Sequence, residues 1–121
     1  MERGELRRGQ AAEQAVAAWL RAAGWDIVGT NLRVGRLELD VVARRDRVIA
    51  VVEVRSRGTG AWTTPLGSIG TVKRLRIRRA GERLWQRRFK HDPTVDRLRF
   101  DAASVTFENG APRIEYVVAA F

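Results

Sequence analysis

Residues 36–57 read RLELDVVARRDRVIAVVEVRSR, and this stretch decides the fold. Two apolar runs flank a charged connection, Arg44-Arg45-Asp46-Arg47. Side chains alternate along a strand, so parity assigns faces. In the first run Leu39, Val41 and Ala43 share one face, while Glu38 and Asp40 share the other. In the second, Val48, Ala50, Val52 and Val54 share one face, while Ile49, Val51, Glu53 and Arg55 share the other. A core lined by both apolar sets requires odd positions of the first strand to oppose even positions of the second. A two-residue turn at Arg45-Asp46 provides that parity. Arg44 then pairs with Arg47, Glu38 lies opposite Glu53, and Asp40 is the diagonal neighbour of Glu53 at roughly 5–8 Å. A slip of one residue would drive a carboxylate into the core.

Carboxylates gathered on one sheet face are costly. Two charges roughly 6 Å apart at an effective dielectric near 20 repel by about 3 kcal/mol. Two remedies exist. Arg36 and Arg55 neutralise the cluster as a solvated ion-pair network, or a divalent cation does so. Mg²⁺ takes oxygen ligands, usually one or two carboxylates together with waters and a substrate phosphate.

Composition narrows the partners. A chain of 121 residues with 45% hydrophobic content suits one domain with one core. There is no cysteine, which excludes disulfides and thiolate zinc sites, and His91 is the only histidine, which excludes sites built from several imidazoles. The amino-terminal MERGELRRGQ has no apolar signal core, and no apolar run approaches membrane-spanning length. The expectation is a cytoplasmic protein with no membrane association. The formal net charge of +9 favours a polyanion, most often nucleic acid. Of 23 basic residues only Lys73 and Lys90 are lysine. Genome composition alone can produce that bias, so the charge carries the argument and the bias does not.

Outward from the hairpin, Ala12, Ala15, Val16, Trp19, Leu20 and Ala23 recur at helical spacing and predict a helix from about Gln10 to Ala23, stopped by Gly24. Glu13 lies at the border of that stripe, either solvated or within reach of a neighbouring sheet edge. Trp25–Arg33 reads as a strand interrupted at Gly29, turning through Val34-Gly35-Arg36 into the hairpin as a three-stranded meander. Residues Gly58 to Gly67 read as a loop, with Trp62 either packed beneath it or able to stack on a base. A second helix is expected from an N-cap at Ser68 to about Arg88, with Ile69, Val72, Leu75, Ile77, Ala80, Leu84 and Trp85 as its broad apolar stripe. Between Lys73 and Lys90 there are many cations and one acid, Glu82, the density of a surface that tracks phosphates. Two more strands follow, Arg97–Phe107 and Arg113–Val118, joined by an Asn109-Gly110 hairpin turn.

The order helix, three strands, helix, two strands, with an acid on the second strand and Glu-x-basic on the third, resembles the PD-(D/E)XK nucleases and their restriction-endonuclease-like fold. The chain is more closely similar to the YraN-like family of endonuclease-like proteins. The motifs that carry the likeness run along nearly the whole chain. They are Glu13-Gln14-Ala15-Val16 and Trp19-Leu20 in the first helix, then Asn31-Leu32-Arg33, Leu37-Glu38-Leu39-Asp40 and Val52-Glu53-Val54-Arg55-Ser56-Arg57. Lys73 follows early in the second helix, then Arg99-Phe100-Asp101 and the terminal Ala120-Phe121. Two positions depart from the pattern. Leu37 replaces a glycine, and Arg55 stands where these nucleases carry their catalytic lysine.

The resemblance implies an α/β (α+β) domain over residues 1–121, with a central mixed β-sheet of about five strands flanked by helices in the order αβββαββ. It implies a metal-dependent endonuclease acting on DNA, with branched or junction DNA as a candidate substrate. Asp40 and Glu53 would bind Mg²⁺ or Mn²⁺ with the backbone carbonyl of Val54. Glu13 would complete the acidic cluster or hold a metal-bound water, Glu38 would stand just outside the ligands, and Arg55 would contact the scissile phosphate. Arg57, Lys73, Arg74, Arg76 and Arg78 would bind nucleic acid, and no small-molecule cofactor is expected. Arginine does not release a proton near neutral pH, which keeps a second reading open: a non-catalytic nucleic-acid-binding module on the nuclease fold. A third is a small basic assembly factor bound to structured RNA.

Overall fold

Ala12, Val16 and Leu20 recur every four residues and are buried, and they line the inner side of helix α1, Glu2–Ala22. The computed structural model describes residues 2–57 and 70–121. The helix starts well before Gln10, the expected first residue. Its first two turns precede the apolar stripe, so periodicity could not reveal them. It ends in a Schellman closure. Trp25 N–H donates to Leu20 C=O at 2.9 Å, Gly24 N–H donates to Arg21 C=O at 3.0 Å, and Gly24 takes the left-handed φ of 93° that this closure needs.

Five strands follow in a single mixed sheet: β1 Asp26–Val34, β2 Leu37–Arg45, β3 Val48–Arg57, β4 Arg97–Glu108 and β5 Ala111–Val117, in the spatial order β1-β2-β3-β4-β5. The β1/β2, β2/β3 and β4/β5 pairs are antiparallel, while β3/β4 is parallel. A parallel pair needs a crossover, and helix α2, Thr71–Leu84, belongs to that connection. This is the αβββαββ, restriction-endonuclease-like arrangement that the sequence implies. Asn109 and Gly110 both take positive φ, at 52° and 79°, as the expected hairpin turn requires. The β1 ladder shifts register between Ile27 and Gly29, the predicted interruption.

The helices cover opposite faces. Val41, Ala43, Ala50, Val52, Ala103 and Val105 pack against α1, while Val42, Ile49, Val51, Phe100 and Ala102 pack against Ile77, Ala80 and Leu84 of α2. Parity therefore assigns β3 correctly and fails once on β2. Leu39 belongs to the α2-side core, while Val41, two residues on, belongs to the α1 side. The cause lies opposite. Paired residues run Thr30↔Val41 and then Leu32↔Leu39, and Asn31 between them takes φ 49°, which breaks the pleat at the Asp40 step.

The hairpin turn also sits one residue later than expected. Arg45 pairs with Val48 and Arg44 with Ile49, so the turn is Asp46-Arg47, with Asp46 at φ 53°. Odd still opposes even, but Glu38 is not set against Glu53. Continuing the ladder one step past Val41↔Val52 brings Asp40 to that place.

Helix α2 starts at Thr71 behind Gly70, which makes no side-chain cap, and ends in a five-residue π turn, Trp85–Phe89. The expected Ser68 cap, Ile69, the 58–67 loop and Trp62 lie outside the described residues. Val72 and Leu75 are exposed at 63% and 51%, so the apolar stripe is narrower than the sequence suggested: Ile77, Ala80, Gly81 and Leu84 alone face inward. Among the described residues no helix is long and apolar enough to cross a membrane.

A second anchor closes the carboxyl end. Asp101 on β4 is wholly buried and accepts from Tyr116 OH at 2.5 Å, Ala119 N–H at 2.8 Å and Arg99 Nε at 3.1 Å. Trp19 of α1 stacks on Tyr116, with ring centroids 5.0 Å apart. Burial first, and then the hydrogen bond to Asp101, push the Tyr116 hydroxyl well above its usual pKa.

Gly81 sets the approach of α2 to the sheet. A Cβ there would stand 2.6 Å from the Phe100 ring, which is itself buried and stacked on Phe121. Gly81→Ala gains helix propensity of about 1 kcal/mol. It overpacks a core that cannot give way, at about 1–3 kcal/mol. Net destabilisation of up to about 2 kcal/mol is expected in urea unfolding. A more stable variant would contradict the close approach.

Candidate active site

At Asp40 the β2/β3 ladder stops being made by backbone alone. The last pair is Val41↔Val52, and beyond it Asp40 Oδ2 accepts the N–H of Val54 at 2.9 Å. A side chain thus takes over the next rung, and the two strands part around it. Glu53, between Val52 and Val54, is 4% exposed. The Asp40 and Glu53 carboxyls lie close enough that the charge of one opposes ionisation of the other. Burial, and then the charge of Glu53, push Asp40 up to about 7, while the Val54 N–H and the Lys73 charge pull the other way.

Lys73, from the first turn of α2, supplies the cation. Its Nζ lies 2.7 Å from Glu53 Oε1. The contact is off the direction that a hydrogen bond requires, so Oε1 is charge-compensated yet buried without a hydrogen bond among the described residues. The sequence placed Lys73 on a phosphate-tracking surface and did not bring it to the acids. The signals that could have singled it out were its match to a lysine of the family pattern and its rarity, one of two lysines in an arginine-rich chain.

Glu13 approaches from α1. Its carboxyl is raised by burial first and then by the charge of Asp40. A side-chain hydrogen bond with Asn31 opposes this, and the Glu38 charge adds a little more. Glu13 Oε2 is buried without a hydrogen-bond partner among the described residues. The helix-border glutamate that the sequence left open is thus partly buried and feels the charge of Asp40, though it does not line the cleft and no three-acid group forms among the described residues.

Glu38, Asp40 and Glu53 share one cleft of about 370 Å³ with Arg36, Lys73 and Arg76. Three acids and three cations line it. Glu38 is exposed at its rim, paired through the backbone with Arg33 of β1. Arg55 is half-buried further along β3, backbone-paired with Ser104 of β4 and engaged in interactions of its own. Among the described residues it does not line the cleft. Arg57 ends β3, and its side chain lies outside the described residues. Arg74 is half-buried and engaged, Arg76 is exposed, and Arg78 is exposed with its guanidinium 5.3 Å from the Phe100 ring centroid. Arg79, Arg83, Arg87 and Arg88 continue the exposed basic surface.

The donors suit a hard cation. Among the described residues no three of His, Cys, Asp and Glu gather as a metal-holding group. The set is therefore two carboxylates, to which main-chain oxygen and water can add. Mg²⁺ and Mn²⁺ accept such a set, since Mg²⁺ keeps several waters and binds through one or two carboxylates plus phosphate. A cation would answer the buried Glu53 Oε1, which has no hydrogen bond among the described residues, and would offset the repulsion that helps to raise Asp40.

Comparison with known proteins agrees with the motifs. The model of the Uncharacterised protein family UPF0102 matches residues 12–105. A UPF0102 protein of Sorangium cellulosum is 55% identical over 93% of this chain and 79% of its own length. One from Anaeromyxobacter dehalogenans is 38% identical over 98% and 86%. One from Bacteroides thetaiotaomicron is 35% identical over 93% and 90%. From first helix to fourth strand, then, the matched span takes in Glu13, Asp40, Glu53 and Lys73, and the chain belongs to the UPF0102 family, the YraN-like family whose motifs it carries.

Proposed function

We propose that this protein is a metal-dependent endonuclease that hydrolyses phosphodiester bonds in DNA. The observation that carries this is the Asp40–Glu53 pair, held in one cleft beside Lys73 and next to the basic surface of α2. Asp40 and Glu53 would hold Mg²⁺ or Mn²⁺, and the backbone carbonyl of Val54 follows directly on β3. When bound, the ion would lower the pKa of a water and neutralise charge on the phosphate.

The chain's own groups do the rest. Hydrolysis joins a water oxygen to phosphorus, breaks one ester P–O bond, releases the water's proton to solvent and gives a solvent proton to the leaving sugar oxygen. Arg36 and Arg76 on the cleft rim attract and orient the phosphate. Arg55 adds permanent charge further along the strand. Glu13, with its buried Oε2, stands ready to accept from a water at the acidic cluster. The exposed arginines of α2 hold the flanking backbone through phosphates rather than bases, so shape governs substrate choice and branched or junction DNA is the first to try. A DNA substrate places this work in the cytoplasm.

The alternative, a binding module without chemistry, is favoured by Arg55 at the lysine position. The two readings part at the acids. Asp40→Asn and Glu53→Gln are expected to stop single-turnover cleavage of labelled linear, flap and four-way-junction DNA with Mg²⁺ or Mn²⁺. Both should keep or strengthen DNA binding, because each removes negative charge near phosphate. Wild-type protein that binds every substrate and cuts none supports the module.

Metal binding should depend on pH through Asp40. Its carboxyl is raised to about 7, so below that pH the ion must displace a proton. Mn²⁺ affinity measured by calorimetry should fall about tenfold per pH unit below about 7, with proton release visible across buffers of different ionisation enthalpy. The same shift bears on stability. The folded state holds a proton that the unfolded chain releases near its ordinary carboxylate pKa, so metal-free stability declines as pH rises from about 4 to about 7. Asp40→Asn should flatten that decline, and a slope unchanged by the substitution would remove Asp40 as its source.

DNA affinity should fall by orders of magnitude between about 50 and 200 mM salt if several phosphates are contacted. Fluorescence anisotropy reads this directly, and binding insensitive to salt would exclude the basic surface of α2 as the contact.

A further inference from the structure

The cation that touches the acids comes from the helix and not from β3. Lys73 Nζ stands 2.7 Å from Glu53 Oε1, and its side chain is 43% exposed where that of Glu53 is 4% exposed. The ammonium therefore has one side against a buried carboxylate and another open to the cleft. Lys73, Arg76 and Ile77 lie at i, i+3 and i+4 of α2, on one helical face. Ile77 is buried in the core, which fixes the turn, while the four-carbon lysine stem above it stays free to turn.

The contact also has an unfinished character. Oε1 gains charge but no hydrogen bond, and a divalent ion on that oxygen would repel the ammonium strongly. Arg55 is a planar guanidinium, engaged in its own interactions and, among the described residues, outside the cleft lining. The motif position that resembles a lysine site is thus occupied by arginine, while the lysine of the cleft comes from another element.

We propose that Lys73 is a catalytic residue of this cleft: it guards Glu53 in the metal-free protein and, once a divalent ion takes the Glu53 oxygen, turns its ammonium onto the scissile phosphate. The proposal rests on the endonuclease reading. The role is charge and hydrogen-bond donation to a phosphate oxygen, with no proton taken from the water. In this chain the lysine's work moves from β3 to α2, and Arg55 is an accessory charge.

The test combines metal binding, DNA binding and cleavage in the full chain. Variants are Lys73→Ala, Lys73→Met, which keeps the stem's apolar packing, Arg55→Ala, and Lys73→Ala combined with Arg55→Lys. Calorimetry with Mn²⁺ and no DNA should show Lys73→Ala and Lys73→Met binding about tenfold tighter than wild type, because the competing ammonium is gone. Their single-turnover cleavage should fall about 10²–10³-fold, as for loss of one donor at a developing oxyanion. DNA affinity should change by less than about threefold, since at most one phosphate contact is lost. Arg55→Ala should lose less than about tenfold in rate, and a lysine restored at position 55 should recover at least about tenfold in the Lys73→Ala background. A merely structural ion pair would move stability without tightening Mn²⁺ or giving positional rescue. Lys73→Met that cleaves within about threefold of wild type, or that binds Mn²⁺ more weakly, overturns the proposal while leaving the nuclease standing. Wild type that neither binds Mn²⁺ nor cuts any DNA removes the endonuclease reading and the lysine's role together.

Discussion

One hydrogen bond, from the N–H of Val54 to Asp40 Oδ2, marks where the β2/β3 ladder ends and the candidate site begins. Up to Val41↔Val52 the two central strands are joined by an ordinary ladder between buried valines and alanines. One step further a carboxylate does the accepting. It can do so only because the apolar register behind it is fixed on both faces, where a one-residue slip would exchange core and solvent. The rest of the cleft follows from that rung. Glu53 is held inward beside it, and two carboxyls in contact cannot both ionise cheaply, at about 3 kcal/mol or more for charges within 6 Å at an effective dielectric near 20. The molecule meets this cost by retaining a proton at Asp40 and by bringing the Lys73 ammonium to Glu53.

Helix α2 carries three duties that constrain one another. It belongs to the crossover that a parallel β3/β4 pair demands, it covers one face of the sheet, and it delivers Lys73 and Arg76 to the acids. Gly81 allows contact with Phe100 at a distance no larger residue permits, and Ile77, one turn earlier, is buried over the same face. The distance set by packing at Gly81 is therefore also the distance that lets the Lys73 stem reach Glu53.

Much of this was legible in the sequence, and the failures are local. Period-two alternation in 36–57 placed Asp40 and Glu53 on the site side of a hairpin, and Asn109-Gly110 and Gly24 announced their turns correctly. The turn itself was set one residue early, because Arg45-Asp46 and Asp46-Arg47 satisfy the same parity. Leu39 was put on the wrong face because parity assumes an unbroken pleat, and Asn31, on the neighbouring strand, breaks it with a left-handed φ. Val72 and Leu75 were counted as core from helical spacing that ignores how narrow a face one sheet can cover. The Lys73–Glu53 ion pair went unforeseen for a different reason. Glu53 is twenty residues away from Lys73 in another element, and no local pattern encodes a contact made by a crossover.

Among the described residues two buried acids, Asp101 and Glu53, are held in opposite ways. Asp101 is fully enclosed and fully answered: a tyrosine hydroxyl, a guanidinium and a backbone N–H occupy its oxygens, and Trp19 stacks over that tyrosine. Nothing further could bind it without displacing a donor, so its energy goes into joining α1, β4, β5 and the residues after β5. Glu53 is almost as buried but has an oxygen without a hydrogen bond, a neighbouring carboxyl raised to about 7, and a cation that is half in solvent. A buried polar atom left unanswered costs about 1–3 kcal/mol. A fold that satisfies Asp101 so completely has the means to satisfy Glu53 as well. Glu53 Oε1 instead meets only a half-exposed ammonium, beside a cleft lined by Arg36 and Arg76, and this difference is what the proposed cation and phosphate site rests on.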